Sequence, residues 1–462
     1  MLFTSFVFLI LVIGTFLFYY MPFLRKYQIH ILIIASLIFY AWHNPVLLLL
    51  LLFSVFINIL TTYFIVVKTI KFKKTISILG VVVNLLVLGF FKYSGLFAKA
   101  FSIDGDLGDI LISIPLPIGI SFFTFQGISL VVDVFKENHF KNYEVIPQNF
   151  FDLSKRILFF IAFFPQLIAG PIVKAYEFLP QITVKKIQNV NWKNVFRTLI
   201  LGYFLKMFVA DNLKDFTFWM DYPYFMYYKS IDLIVMLFGY SFQIFADFAG
   251  YSLIAIGLAE LFGYNLKKNF NFPYIASSFK DFWKRWHISL SSFLMEYLYI
   301  PLGGNRKGKW RTYFNLLITM CLGGLWHGAA WSYAIWGGFH GVLLAIEKFF
   351  NNTINIKSTK FFSVFYGSFV FVMISFAWLL FKLPNFNDVI EYLKHIINIK
   401  SLSFSKNVFL HIFLYSIPII LYHIAYIKKN FFIRFESFFY AVMLFLIFTN
   451  SGSSKAFIYF QF

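Results

Sequence analysis

The sequence predicts an all-α integral membrane protein, on three observations. Sixty per cent of the 462 residues are hydrophobic and only 13% are charged. Mean hydropathy is +0.75. Apolar runs of spanning length recur from one end of the chain to the other, and runs of about 20 such residues read as transmembrane helices. No hydrophilic stretch is long enough to be a separate soluble domain. Residues 1–462 therefore read as one polytopic domain with roughly eleven to thirteen membrane segments, some of them re-entrant.

The first runs cover residues 2–20, 27–42, 46–67 and 76–91. No basic segment precedes the first, and Arg25 and Lys26 follow it. That order predicts an uncleaved first span with the N-terminus outside. Lys68, Lys71, Lys73 and Lys74 mark the next inside loop, and Asp104, Asp106 and Asp109 the outside loop after it. Runs at 111–134 and 157–172 come next. The former carries Gln126 and Asp133 beyond Pro115, Pro117 and Gly119.

Runs at 195–209 and 231–262 follow. Gln243 and Asp247 lie in the second and, four residues apart, share one helical face,. A carboxylate at membrane depth needs a basic or histidine partner. Pairing for structure is one reading of Asp247, and orienting a catalytic histidine is the other.

Residues 265–311 differ in composition. Nine lysines and arginines fall there, among them Lys280, Lys284, Arg285, Arg306 and Arg311, so the segment is expected on the cytoplasmic side or at the interface. Phe282, Trp283 and Trp286 interleave with these charges, as interfacial anchors do. Pro301, Gly303, Gly304 and Asn305 supply a turn,. Positive-inside anchoring explains the basic residues in bland terms. The sharper reading is recognition of an anionic ligand such as a phosphorylated acyl carrier, with Lys284, Arg285, Trp286 and Asn305 holding phosphates or stacking on a base.

A run of 35 residues, 312–346, then contains no Asp, Glu, Lys or Arg, yet it contains His327. An ionisable group at membrane depth is a functional candidate by default. Gly323, Gly324 and Gly328 flank it, and glycines weaken a helix. As one helix the run would be about 52 Å long, more than a span needs and less than two full spans take. A long tilted helix, or two half-helices meeting near 323–328, is expected rather than a plain hairpin. The bland alternative for His327 is a structural histidine. His287 lies 40 residues earlier and His340 13 later. On an unbroken helix His340 would be about 20 Å from His327, so it ranks below His287 as a partner.

The last runs cover 362–381, 408–427 and 438–448. Lys428, Lys429 and Arg434 imply an inside loop before the last of them,. The net charge of +20 follows from membrane topology and points away from nucleic acid,. Cys321 is the only cysteine, so no internal disulfide is possible; a small buried apolar role is expected for it,. The chain has no P-loop, no dinucleotide fingerprint and no cluster with metal-ligand spacing,.

Seven motifs, in this order, resemble the membrane-bound O-acyltransferases, and among them the bacterial alginate and peptidoglycan O-acetyltransferases. They are SFFTFQ at 121–126, FPQLIAGPI at 164–172, QIFADFAGYS at 243–252, FWKRWHISL at 282–290, YIPLGGN at 299–305, GGLWHGAAW at 323–331 and WGGFHG at 336–341. The resemblance implies that His327 is the catalytic histidine and His287 a second functional position. It implies a many-helix fold around a central funnel or pore, in the bacterial cytoplasmic (inner) membrane. It also implies acyl transfer from a cytoplasmic donor, acetyl-CoA, toward a cell-surface glycan, directly or through a periplasmic SGNH-hydrolase-like partner. Relatives that attach D-alanine to teichoic acids share the RWH and WHG elements. A desolvated imidazole suits the task, because it stays a neutral base at pH 7. His287, Asn305 or backbone amides near the glycines are candidates for stabilising the oxyanion. The rival class is a transporter or channel, which broken helices and Asp247 would also suit, although no two-fold repeat is visible. A non-catalytic scaffold for an external partner is the third reading.

Overall fold

The computed structural model describes residues 1–42, 44–67, 72–136, 145–168, 170–353, 360–399, 403–428 and 433–453. Of the basic loop markers above, Lys68, Lys71 and Lys429 lie outside these residues, as does Ala169 of the 164–172 motif. Every regular element among the described residues is helical. Six helices are long and apolar enough to cross a membrane, and two shorter apolar helices, Phe6–Tyr20 and Glu436–Thr449, stand near the ends. The chain is a multi-pass membrane protein.

The described residues form two compact units. The first comprises Met1–Leu199 with Ser252–Lys267. Its helices are α1 (Phe6–Tyr20), α2 (Gln28–Ala41), α3 (Pro45–Val67), α4 (Lys73–Ala100), α5 (Asp106–Ser113), α6 (Ile120–Lys136) and α7 (Phe150–Ala162). On α3, Val46, Leu49, Phe53 and Phe56 are exposed while Leu51, Val55 and Ile59 are buried. That is the helical period dividing a lipid face from a packed face. Asn58 and Asn84 bridge α3 and α4 with reciprocal amide hydrogen bonds of 3.2 and 3.0 Å. Both amides are thereby satisfied away from water. Gly127 of α6 lies against them, and a Cβ there would come within 2.6 Å of Asn58 Nδ2.

Two of the long apolar runs are broken here, and the sequence explains both breaks. Run 111–134 divides into α5 and α6 at Pro115, Pro117 and Gly119, the last at φ +79°, where prolines cannot continue a helix. Run 157–172 stops at Ala162, two residues before a one-turn helix, Phe164–Leu167, that begins with Pro165 near its start,.

The second unit comprises Ile200–Tyr251 with Lys268–Phe462. Only the end of helix α8 (Trp192–Tyr203) belongs here, and it runs on into a π-helical turn, Phe204–Ala210, and then α9 (Asp211–Thr217). Helix α10 is Ser230–Leu261, of which the part up to Tyr251 belongs here. Two seven-residue helices follow, α11 (Phe279–Arg285) and α12 (Ile288–Leu294), and then α13 (Lys309–His327) and α14 (Trp331–Thr353). The C-terminal helices are α15 (Lys360–Lys382), α16 (Phe386–Ile397), α17 (Lys406–Ile427) and α18 (Glu436–Thr449).

The uncharged run corrects the expectation stated for it. Helices α13 and α14 form a plain hairpin of 19 and 23 residues, closed by Gly328, Ala329 and Ala330. The run borrows Lys309–Arg311 at one end and Glu347 onward at the other, which supplies the length that two helices need. Its glycines act by proximity, not by weakening α13, which continues unbroken to His327. A Cβ on Gly324 would lie 2.1 Å from Tyr333 O, one on Gly337 2.2 Å from Met320 O, and one on Gly341 3.0 Å from Leu317 Cα. Small residues let helix backbones approach this closely. Cys321 belongs to the same seam, its Sγ 3.4 Å from the Cβ position of Gly338.

Candidate active site

The hairpin places His327 at the end of α13, 3% exposed. Its ring contacts Trp336 at 5.2 Å, Phe381 of α15 at 5.1 Å and Trp326 at 4.9 Å between centroids. The hairpin also folds the His340 region back: Trp336 touches both His327 and His340.

His287 comes to the same place by a different route. Ser278 caps α11 through the amide of Asp281, 3.0 Å away. Glu347 of α14 accepts hydrogen bonds from the backbone N–H groups of Phe279 and Lys280 at 2.7 and 3.1 Å. At the other end of α11 the chain makes a sharp turn, and His287 adopts φ 43°, ψ 56°. A left-handed residue with a Cβ costs roughly 1–2 kcal/mol, and the surroundings hold it there. Ile288 donates to Asn269 O and Asn271 to Arg285 O, both at 2.9 Å.

The Asn269 side chain completes the clamp. Its Oδ1 accepts from Ser289 N–H at 3.3 Å and Ser289 Oγ at 2.8 Å, and it lies 3.0 Å from His287 Nδ1. A backbone N–H can only donate, so the amide atom facing it is the oxygen. His287 therefore carries its proton on Nδ1 and keeps the Nε2 lone pair. The His287 and His327 rings are 6.3 Å apart. His287 is fully buried and lies outside the candidate spans; burial pushes its imidazole down to about 3, so it stays neutral at physiological pH.

A cavity of about 450 Å³ leads to His327, within the range of small-molecule sites. His327, Gly323 and Trp336 line one end of it, and Lys280, Lys284, Asn305 and Lys348 the other. Trp336 and Lys348 are 12 residues apart on α14, so the cavity is roughly 18 Å long and narrow,. Its walls between are mostly leucine and methionine.

The structure divides the sequence-predicted residues. His327 and Lys284 line the cavity, and His287 stands directly behind His327. Asn305 accepts hydrogen bonds at Oδ1 from Tyr299 OH and from Lys348 Nζ. That puts it at the lysine end, about 18 Å of helix from Trp336 beside His327,, too far to meet an oxyanion at His327. Arg285 bonds Asp281 at 2.9 Å and the Asn271 carbonyl at 3.2 Å and does not line the cavity. Trp286 is 1% exposed between Phe282, Phe270 and Trp378, with ring centroids at 5.5, 5.1 and 4.9 Å. It is a packing residue instead of an interfacial anchor or stacking plate, because a two-turn helix set against α15 has little surface to spare.

Asp247 is spent on Lys206, whose Nζ lies 2.7 Å from it and 2.6 Å from Asp211, all three buried. Gln243 accepts from Thr217 Oγ1. Sequence reasoning missed Asn269, Glu347, Trp336 and Lys206. Lys206 was findable, as a cation deep inside the apolar run at 195–209, nine residues beyond Arg197. Asn269 left no signal among the other polar residues around it.

Similarities to known proteins bear on this site. Residues 151–387 match the family model of MBOAT, the membrane-bound O-acyltransferase family. A peptidoglycan O-acetyltransferase of Helicobacter pylori is 36% identical over 396 residues, 80% of this chain and 74% of that protein. A probable alginate O-acetylase of Pseudomonas syringae pv. tomato is 37% identical over 399 residues, 83% of this chain and 73% of that one. A teichoic acid D-alanyltransferase of Bacillus subtilis is 32% identical over 251 residues, covering 50% and 59%.

Proposed function

The chain belongs to the membrane-bound O-acyltransferase family and is an O-acyltransferase, and we propose that it moves an acetyl group from a cytoplasmic thioester, acetyl-CoA, to an acceptor outside the membrane. The acceptor is a hydroxyl of a cell-surface polysaccharide of the peptidoglycan or alginate class, reached directly or through a serine of a periplasmic SGNH-hydrolase-like partner. The enzyme works in the bacterial cytoplasmic membrane with its N-terminus outside. The observation that carries this reading is His327 at the inner end of a long cavity whose other end is ringed with lysines.

The chemistry follows from that arrangement. The CoA phosphates rest at Lys280, Lys284 and Lys348, and the acetyl thioester reaches His327. The acceptor hydroxyl attacks the thioester carbonyl carbon while His327 takes its proton. The tetrahedral intermediate then expels the thiolate, which recovers the proton. The new C–O ester bond replaces the broken C–S bond, and no redox change occurs. His287, fixed as the Nδ1–H tautomer by Asn269, supports the His327 wall without charge of its own.

The test uses the purified enzyme in vesicles with radiolabelled acetyl-CoA supplied on one face and a glycan acceptor, with or without partner, on the other. Label should cross only when acetyl-CoA is on the lysine-ringed side. Label retained on the donor side, or transfer of D-alanyl but not acetyl groups, would refute the reading.

A further inference from the structure

Glu347 puts a carboxylate where the cavity is otherwise basic. It lines the cavity beside Lys280, Lys284 and Lys348, where a negative charge weakens the hold on an anion. It is 7% exposed. Among the described residues it makes no ion pair with those lysines. Its oxygens go elsewhere. Oε2 accepts from the N–H of Phe279 at 2.7 Å and from Tyr366 OH at 3.3 Å, and Oε1 accepts from the N–H of Lys280 at 3.1 Å.

These bonds close one end of α11. The first N–H groups of a helix find no partner within it. Glu347 takes the first two, and Ser278 Oγ takes the third, from Asp281. Ser278 is the helix's own cap, whereas Glu347 belongs to α14 and ties one helix to the other. The far end of α11 is held separately, by Asn269 through His287, Ile288 and Ser289. A seven-residue helix is too short to set itself, so its two fixings decide where it lies,. Lys280 and Lys284, four apart on one face of α11, both line the cavity,.

We infer that Glu347 is a positioning residue for the donor. Its carboxylate pins the start of α11 to α14 and so sets Lys280 and Lys284 against the cavity, while Asn269 sets His287 beyond the other end. The two fixings of one short helix should therefore separate in kinetics, Glu347 in KM and Asn269 in kcat. This rests on the donor reading above, in which the lysines hold the anionic end of acetyl-CoA.

The experiment measures kcat and KM for acetyl-CoA with the full-length enzyme, per folded molecule, alongside melting temperature. Glu347→Gln offers an oxygen to one backbone N–H and turns an amide N–H2 toward the other. KM should rise about tenfold, the scale of a lost hydrogen bond to a charged group. Turnover should stay within about twofold, the pattern of lost binding that ground state and transition state share. Tyr366→Phe removes the third bond without touching α11 and should keep KM within about twofold. The paired change Lys280→Met with Lys284→Met should itself raise KM about tenfold or more. Adding Glu347→Gln to that pair should raise KM no more than about twofold further, because a residue acting through the lysines has nothing left to place; independent damage would multiply. Should Glu347→Gln fail to fold, Glu347→Asp takes its place in the same cycle, since it keeps the charge and draws it back by one methylene. Multiplied effects, an unchanged KM, a loss confined to kcat, or an equal rise in Tyr366→Phe would overturn this proposal alone. Lysine variants with the wild-type KM would overturn the donor reading and this proposal together.

Discussion

Lys206, Asp211 and Asp247 close on one another at 2.6 and 2.7 Å, whereas His327 fronts a cavity of about 450 Å³. Both groups are buried ionisable residues in the same unit, and a hydropathy profile flags both in the same way. Their surroundings differ. The triad pairs ionisable groups with one another, joining the π-helical turn Phe204–Ala210 and the start of α9 to α10. His327 is walled by neutral rings and opens on a space that a ligand can enter. An intramembrane charge matched by its neighbours is a strut, and a titratable group aimed at a cavity is a candidate for chemistry.

The largest effect should fall on the cavity side. His327→Ala should lower acetyl transfer at least about 100-fold, the usual contribution of a positioned base. Membrane abundance and thermal stability should be unchanged. Near wild-type turnover in that variant would remove the distinction between the clusters and return His327 to a structural role.

The triad should respond in the opposite way. Lys206→Met leaves two buried carboxylates uncompensated, and breaking a buried pair costs about 3–5 kcal/mol. The expected outcome is low abundance and a lowered melting temperature, with turnover per folded molecule retained. Adding Asp211→Asn and Asp247→Asn should recover most of the stability. If Lys206→Met instead folds normally and loses turnover, the triad belongs to the mechanism and the comparison fails.

Asn269 tests the support behind the site. Asn269→Ala removes the acceptor that fixes the His287 tautomer, and the expected loss is about tenfold in kcat with little change in KM for the donor. A change in KM alone would place Asn269 in donor binding.

Much of this division was legible in the sequence, and the physical reasons are plain at particular residues. His327 stood out because charge is scarce in a membrane run, and the lysines of 265–311 stood out because charge is dense there. Asp247 announced a need for a partner without naming it, because a partner 41 residues away in sequence leaves no periodic trace. The hairpin was misjudged because glycine has two uses that look alike in a sequence. Gly323 and Gly324 were read as weakening a helix, whereas the backbone of α14 approaches Gly324 too closely for any side chain. Trp286 was misread because a tryptophan among basic residues looks the same at a membrane interface and in a packed core.

The smallest effect isolates a group kept neutral by burial. Burial holds His287 at about 3 in the folded protein, against about 6.5 when unfolded. Between these values the unfolded chain binds more protons, so acid favours unfolding. The His287 contribution is negligible above pH 7.5 and reaches about 1.4 kcal/mol of destabilisation by pH 5.5. His287→Gln removes that term. Melting temperatures of wild type and variant, measured from pH 7.5 to 5.5, should therefore draw together as the pH falls, with wild type losing more. Parallel curves would mean that His287 is solvated in solution. The site would then be wet on both sides of the two histidines, and the contrast with the triad would rest on His327 alone.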